Sequence, residues 1–218
     1  MNILHVNMSI DPVTGGGTVE RTCQLTRELQ KLPDTEARVL STTVGLDEDS
    51  RLNDSQFILL PCVNERWYIP MPYFRKIYNA LKWSDIVVIS NHWAMINAMV
   101  YLVNLIVKRP YMFCPAGALH IFGRSSLMKK LYNKVVGKSI LNDAAIVIAI
   151  PKDEGAYIHS LGIPAERIKC ISNGISNEDF VYSDHTGFRA KNAIGSGPIL
   201  LFMGRLNEIK GPDLLLNA

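Results

Sequence analysis

The 218-residue sequence predicts an α/β protein, a Rossmann-like, doubly wound and mainly parallel sheet followed by an incomplete second unit of the same kind. Three observations carry this expectation. Short apolar runs of strand length alternate with stretches of helical periodicity, the runs read as strands buried on both faces, and the length corresponds to about one and a half domains at roughly 150 residues each. With 48% hydrophobic and 20% charged residues the composition is that of an ordinary globular protein, which excludes disorder, collagen and coiled coil.

The expected strands run from Ile3 to Met8, Arg38 to Val44, Phe57 to Leu60, Ile86 to Ile89, Tyr111 to Cys114, Ile146 to Ile150, Ile168 to Ile171 and Ile199 to Met203. Between the first two, Leu25, Leu29 and Leu32 recur at i, i+4 and i+7 while Glu20, Arg21, Arg27, Glu28 and Lys31 mostly take other faces, which predicts an amphipathic helix. The apolar run Trp93 to Val107 is 15 residues long and interrupted by Asn97 and Asn104. It is too short and too polar to span a bilayer and reads as a buried helix. Parallel strands need crossovers, nearly always right-handed, so a doubly wound sheet is the economical topology. From Ser176 the pattern loosens into a polar, glycine-containing stretch. The expected organisation is a first domain over 1–180, a linker over 181–197, and at 198–218 the first strand and partial helix of a second domain, with Pro212 in that helix's first turn.

A net charge of +3, from 23 basic and 20 acidic residues, is too small for the basic stripe of a nucleic-acid binder. Cys23, Cys62, Cys114 and Cys170 lie 39, 52 and 56 residues apart, so no C-x-x-C pair is present to chelate zinc or exchange disulfides. Buried free thiols in a reducing cytosol fit this spacing. The amino terminus begins as a strand rather than a signal peptide. A cytoplasmic protein is expected.

Several segments could carry chemistry. Gly15, Gly16 and Gly17 stand between the first strand and a helix whose amino-terminal N–H groups suit an anion, although Glu20 breaks the dinucleotide fingerprint and a plain tight turn is the alternative. Arg205 and Lys210, in GRLNEIKG past an expected strand end, could hold a diphosphate and stabilise it as a leaving group, or form a solvated basic turn. His92 in NHWA, and Gly117 and His120 in CPAGALH, follow strands and lie at the ligand edge of an open sheet. Lys130, Lys134 and Lys138 recur every four residues beside Leu127, Leu131 and Val135 in an acid-free run from Arg124, which suits either a solvated face or contact with anionic lipid. The aromatic segment from Trp67 to Phe74 reads as a lip on the site or a packed loop. Asp47, Glu48 and Asp49 spell a D-x-D in a polar loop without other features of a manganese site, so no metal is expected.

Taken together these residues resemble the retaining glycosyltransferases of group 1, family 4, which pair two Rossmann-like domains in the GT-B fold. The most specific elements are LLFMGRLNEIKGPDLLLNA (200–218) and GIPAERIKCISNGISNEDF (162–180), supported by Gly15 to Gly17 with Glu20 and Arg21, and by ILNDAAIVIAIPKDEGAYIHSLGI. The resemblance implies transfer of a sugar from a UDP- or GDP-sugar to an acceptor hydroxyl with retention, in polysaccharide, lipopolysaccharide or glycolipid synthesis, with no cofactor beyond the donor substrate. It implies that Arg205 and Lys210 hold the diphosphate, that Gly15, Gly16 and Gly17 border the donor phosphate and acceptor cleft, and that His92, Gly117 and His120 lie on the acceptor side. Lipid-linked acceptors would place the protein peripherally at the inner membrane face. Where the family often has a Pro-His-Gly segment, this sequence has Pro115, Ala116 and Gly117, and alanine cannot donate the histidine's hydrogen bond. The family's nucleoside pocket and paired glutamates have no counterpart up to Ala218. The chain is therefore expected to be a truncated form, inactive alone. The competing expectations are a non-hydrolysing nucleotide-sugar epimerase, for which no acid/base set is found, and a non-catalytic sugar- or acceptor-binding domain.

Overall fold

Seven of the eight apolar runs form strands of one sheet in the computed structural model, which describes residues 1–46, 55–121, 125–175, 187–204, 206 and 210–217. In chain order these are β1 (Asn2–Val6), β2 (Glu36–Thr42) and β3 (Phe57–Leu60), then, after a separate antiparallel ribbon of β4 (Cys62–Asn64) and β5 (Ile69–Pro70), β6 (Ile86–Ser90), β7 (Tyr111–Cys114), β8 (Ile146–Ala149) and β9 (Ile168–Cys170). The sheet order is β3-β2-β1-β6-β7-β8-β9, and every pairing in it is parallel. The chain steps outward from β1 to β3, then returns to β1's other side and steps out again from β6 to β9. The order therefore reverses between β1 and β6, where ligands of open α/β sheets bind.

Helices fill most of the crossovers. α1 (Pro12–Gly15) and α2 (Gly17–Gln30) follow β1, α3 (Phe74–Trp83) precedes β6, α4 (Met95–Val107) precedes β7, and α7 (Lys152–Ser160) precedes β9. Between β7 and β8 lie α5 (Ser126–Tyr132), a π-helical turn at Asn133–Gly137 and α6 (Lys138–Asp143). Successive strand residues point to opposite faces. Leu4, Val6, Val87, Ile89 and Phe113 join Ile77, Leu81, Ile96, Ile140 and Ile158 in the main core, whereas Ile3, Ala37 and Val88 pack on the other face with Leu29 of α2.

The chain divides into two compact units, Met1–Gly174 and Ile175–Ala218. In the second, α8 (Phe188–Lys191) and α9 (Pro212–Leu216) are helical, and α9 opens on Pro212 after Gly211 at φ 60°.

Five sequence expectations are corrected. Ile199 to Met203 forms no strand, and Leu200 and Met203 are exposed, because no described residue of its unit supplies a strand partner. The buried face of α2 is Val19, Thr22 and Thr26, while Leu25 and Leu32 are exposed. Threonine tolerates burial there because Thr22 Oγ1 donates to the Thr18 carbonyl at 2.9 Å and Thr26 Oγ1 to the Thr22 carbonyl at 2.7 Å. α4 is buried on one side only, with Leu102, Leu105 and Ile106 exposed. Its two asparagines have structural roles: Asn97 Nδ2 donates to the Ser90 and Asn91 carbonyls, and Asn104 brackets Arg109 by accepting from its N–H and donating to its carbonyl. The lysine-rich helix is interrupted by the π turn, although Lys130, Lys134 and Lys138 stay exposed beside exposed Leu127, Leu131 and Val135. Of the four free thiols only Cys114 is buried, and Cys170 is exposed because it sits on edge strand β9.

Candidate active site at the sheet switch point

The site grows from the residue after β1. Asn7 is fully buried, and its Nδ2 donates to the Thr18 carbonyl at 3.1 Å and to Thr22 Oγ1 at 2.8 Å, which fixes the first turns of α2 against the strand end. Its Oδ1 accepts from Met8 N–H at 2.8 Å and from Asn91 Nδ2 at 3.0 Å. Asn91 follows β6 in the left-handed conformation at φ 66°, which asparagine tolerates better than most residues. The two loops flanking the switch point are thus joined by a buried amide pair.

The three glycines differ in what they permit. A Cβ at Gly15 would lie 1.9 Å from Val19 Cγ2, so that position is set by packing. Gly16 has φ 58°, so it is set by backbone conformation. A Cβ at Gly17 would meet nothing within 4 Å, and the backbone there is open to approach. α2 begins at Gly17 without a side-chain cap. From the same helix Arg21 Nη1 donates to Asn173 Oδ1 at 2.7 Å and to the Ile171 carbonyl at 3.2 Å, which fastens the segment after β9 to the glycine loop's helix. His5 on β1 is 2% exposed, and burial, with the Arg21 guanidinium second, lowers its pKa to about 4.

His92 is buried rather than displayed. Its ring packs on Trp93 at 4.4 Å, Tyr132 at 5.5 Å and Phe113 at 5.7 Å, and its Nε2 donates to Asn133 Oδ1 at 2.7 Å. Burial lowers its pKa against the opposing Asn133 bond, so it is held neutral. Asn133 opens the π turn, and a Cβ at Gly137 would come within 2.5 Å of Asn133 Oδ1, so the turn and its glycine make room for the His92 partner. His92, Leu119, Asn133, Lys138 and Tyr157 border a cavity of about 500 Å³.

After β7, Ala116 and Gly117 adopt φ 53° and 77°, and Ala118 N–H donates to the Pro115 carbonyl at 3.0 Å, closing a tight turn. Gly117 N–H donates to Glu154 Oε1 at 2.5 Å, and His120 stacks on Tyr157 at 3.7 Å between ring centroids. These residues border a second cavity of about 200 Å³. Leu119 and Tyr157 line both cavities, so His92 and His120 occupy adjacent hollows.

The glycine loop, His92 and the Gly117–His120 loop therefore share the carboxyl edge of one sheet. Lys210 belongs to the second unit, and Arg205 lies outside the described residues, as do Asp47, Glu48 and Asp49. No cluster of three metal-ligating side chains occurs among the described residues. Asn7 and Asn133 lie in none of the sequence motifs, and Asn91, Glu154 and Tyr157 lie inside NHWA and the 140–163 stretch without being singled out there, although an asparagine directly after a strand is a usable signal at 7 and 91.

A family model described as Glycosyltransferase Family 4 matches residues 15–179, starting at the first glycine of the loop and covering most of the chain. The chain belongs to this glycosyltransferase family. Family 4 membership agrees with similar solved structures, whose likeness at these identities is one of fold. Anabaena Alr3699/HepE in complex with UDP-glucose matches with a TM-score of 0.68 and 16% identity over the whole of this chain and 56% of that one. The UDP-GlcNAc 2-epimerase of Neisseria meningitidis bound to UDP-GlcNAc matches with a TM-score of 0.52 and 14% identity over 79% of this chain and 47% of that one. The Methanocaldococcus jannaschii UDP-GlcNAc 2-epimerase matches with a TM-score of 0.51 and 12% identity, over 79% and 46%. This chain thus spans little more than half the length of the HepE chain. No curated protein matches it. Among the described residues, no helix is long and apolar enough to cross a membrane.

Proposed function

We propose that the chain carries the acceptor-side domain of a retaining glycosyltransferase that moves a sugar from a UDP- or GDP-sugar to an acceptor hydroxyl in cell-envelope polysaccharide or glycolipid synthesis. The carrying observation is the family 4 match, which begins at Gly15 and runs through the segment that Arg21 fastens to α2. In this reading residues 1–180 form the acceptor-side domain, 181–197 link it onward, and the donor-binding part begins at 198. Gly15 to Gly17 border the cleft, where the open backbone at Gly17 accepts close approach of a phosphate. Arg205 and Lys210 neutralise the leaving diphosphate, so the developing charge needs no metal. His92, kept neutral by burial, and the Gly117–His120 loop line the acceptor side. The exposed stripe of Lys130, Lys134 and Lys138 with its apolar neighbours supports peripheral contact with an anionic membrane.

A non-catalytic acceptor-binding domain is the second reading. Ala116, in the place of a hydrogen-bonding histidine, favours it. The deciding experiment incubates the full-length protein with a panel of UDP- and GDP-sugars and follows nucleoside diphosphate release and the anomeric configuration of the product by NMR. Transfer with retention is expected. Inverted product or donor epimerisation without transfer overturns the proposal, and saturable acceptor binding without turnover selects the second reading.

A further inference from the structure

We propose that Glu154 and Tyr157, one turn apart on α7, are positioning residues that set the Pro115–His120 loop and so fix how Gly117 and His120 are presented; the functional part rests on the acceptor-side reading above.

Leu119 seats the far end of the loop in the main core, and the turn before it is the weaker part. It turns through two consecutive left-handed residues, and the first, Ala116 at φ 53°, is an alanine, a residue disfavoured there. Ala118 N–H donates to the Pro115 carbonyl and closes the turn, and the Cys114 thiol is hydrogen-bonded with the Ala116 backbone. The external support comes from a helix start. The N-cap of α7 is Pro151, which has no N–H to receive the carboxylate of an ordinary capping box. Glu154, at the third helical position, therefore reaches one residue further back and accepts from Ile150 N–H at 2.8 Å through Oε2. That geometry turns Oε1 toward β7's loop, where it accepts from Gly117 N–H at 2.5 Å, across 37 residues of sequence. Both oxygens of the carboxylate are engaged by backbone donors. The acid is thereby occupied in holding the strand-end loops of β7 and β8, not offered to a substrate.

Three residues on, Tyr157 lies on the same helical face and receives the His120 ring in a near-parallel stack, 3.7 Å between centroids and 20° between planes. The loop is thus gripped at its turn by Glu154 and at its end by Tyr157, and the cavity of about 200 Å³ lies between the two grips. A shift of either grip changes the cavity wall; Glu154 stands outside the main core, whereas Tyr157 packs against its edge beside Ile158.

Amide hydrogen exchange and proton NMR on the full chain test this directly. Glu154→Ala releases both amides and should speed exchange at Gly117 and Ile150 by about tenfold or more, the scale of a lost charge-assisted hydrogen bond. The near-isosteric Glu154→Gln keeps one acceptor and should release one of the two. Tyr157→Leu should move the His120 ring-proton resonances, whereas Tyr157→Phe, which keeps the ring, should leave them in place. Exchange at Gly117 within twofold of the parent in Glu154→Ala, or His120 resonances unmoved in Tyr157→Leu, overturns the proposal. Steady-state transfer by the full-length protein separates it from the reading it rests on: acceptor KM should rise severalfold in Glu154→Ala with donor KM unchanged. Faster Gly117 exchange with acceptor KM unmoved supports the clamp and removes the acceptor-side assignment instead.

Discussion

Asn91 Nδ2 donates to Asn7 Oδ1 at 3.0 Å, joining the residue after β6 to the residue after β1 across the point where the sheet reverses its strand order. Both side chains are buried, so the bond is shielded from competing water. Replacing Asn91 by Gly keeps the left-handed backbone and removes only the amide. It should cost about 1–3 kcal/mol, since a buried acceptor loses a partner. Asn91→Ala should cost roughly a further 1 kcal/mol for an alanine at φ 66°. Urea unfolding of the two variants checks the order, and equal losses would show that backbone conformation is irrelevant at 91.

The glycine loop should separate packing from access. Gly15→Ala drives a Cβ into Val19 and should destabilise the fold by about 1–3 kcal/mol, whereas Gly17→Ala meets open space and should stay within roughly 0.5 kcal/mol of the parent. Thermal melts rank the pair. In the full-length protein Gly17→Ala should nevertheless weaken donor binding, measured by titration with a nucleotide sugar. Unchanged affinity there would return the loop to a plain turn.

Arg205 and Lys210 should act on turnover more than on donor affinity, because charge on a leaving diphosphate is greater in the transition state than in the bound donor. Removing either cation should cost on the order of 3 kcal/mol, about a hundredfold in rate. Arg205→Lys should also lose activity, since an ammonium cannot reproduce a bidentate fork. Steady-state kinetics of folded Arg205→Ala and Lys210→Ala variants decide it. Rates within a few-fold of the parent would leave GRLNEIKG as a solvated turn.

Lys130, Lys134 and Lys138 should give salt-sensitive cosedimentation with vesicles containing anionic lipid, lost on changing all three to glutamine. Binding insensitive to the triple change would assign the stripe to solvent.

His5 should make stability fall on acidification. Its folded pKa of about 4 lies below the ordinary 6.5, so between those values the unfolded chain takes up a proton that the folded chain refuses. The contribution is complete above about pH 6.5 and is lost progressively down to about pH 4, amounting to about 3 kcal/mol. Comparing urea midpoints of the parent and His5→Leu across this window should show a steeper loss in the parent. Parallel curves would mean that His5 charges freely in the folded state.

The strands are legible in the sequence because parallel strands covered on both faces leave uninterrupted apolar runs, as at Phe57–Leu60 and Tyr111–Cys114. The face of α2 is not, because Thr22 and Thr26 satisfy their hydroxyls on the preceding turn and bury as if apolar, while Leu25 stays outside and Leu29 is only partly buried. The π turn hides in an apparent four-residue lysine repeat, since what accompanies it, the close fit of Gly137 against Asn133 and Tyr132, is not a periodic pattern. In the site, glycines at strand ends announce the loops of Gly15–Gly17 and Gly117. The groups that hold those loops act only through tertiary contacts: Asn7 meets Asn91 across 84 residues, Glu154 meets Gly117 across 37, and Tyr157 meets His120 from a separate element.

The placement of β6 beside β1 also bears on how the molecule assembles. Ile3 pairs with Ala37 on one side and with Ile86 on the other, so the first strand of the chain stays half-paired until more than eighty further residues have been made. A nascent chain leaving the ribosome can build β1, β2 and β3 with α2, yet it carries an open sheet edge along β1 until β6 arrives. Loop closure over that distance makes the central pairing slow to nucleate. The Asn7–Asn91 bond, which needs both strands, can form only after that closure, so the carboxyl edge at the switch point is completed late and the exposed β1 edge is the place for a chaperone, or an aggregate, to intervene.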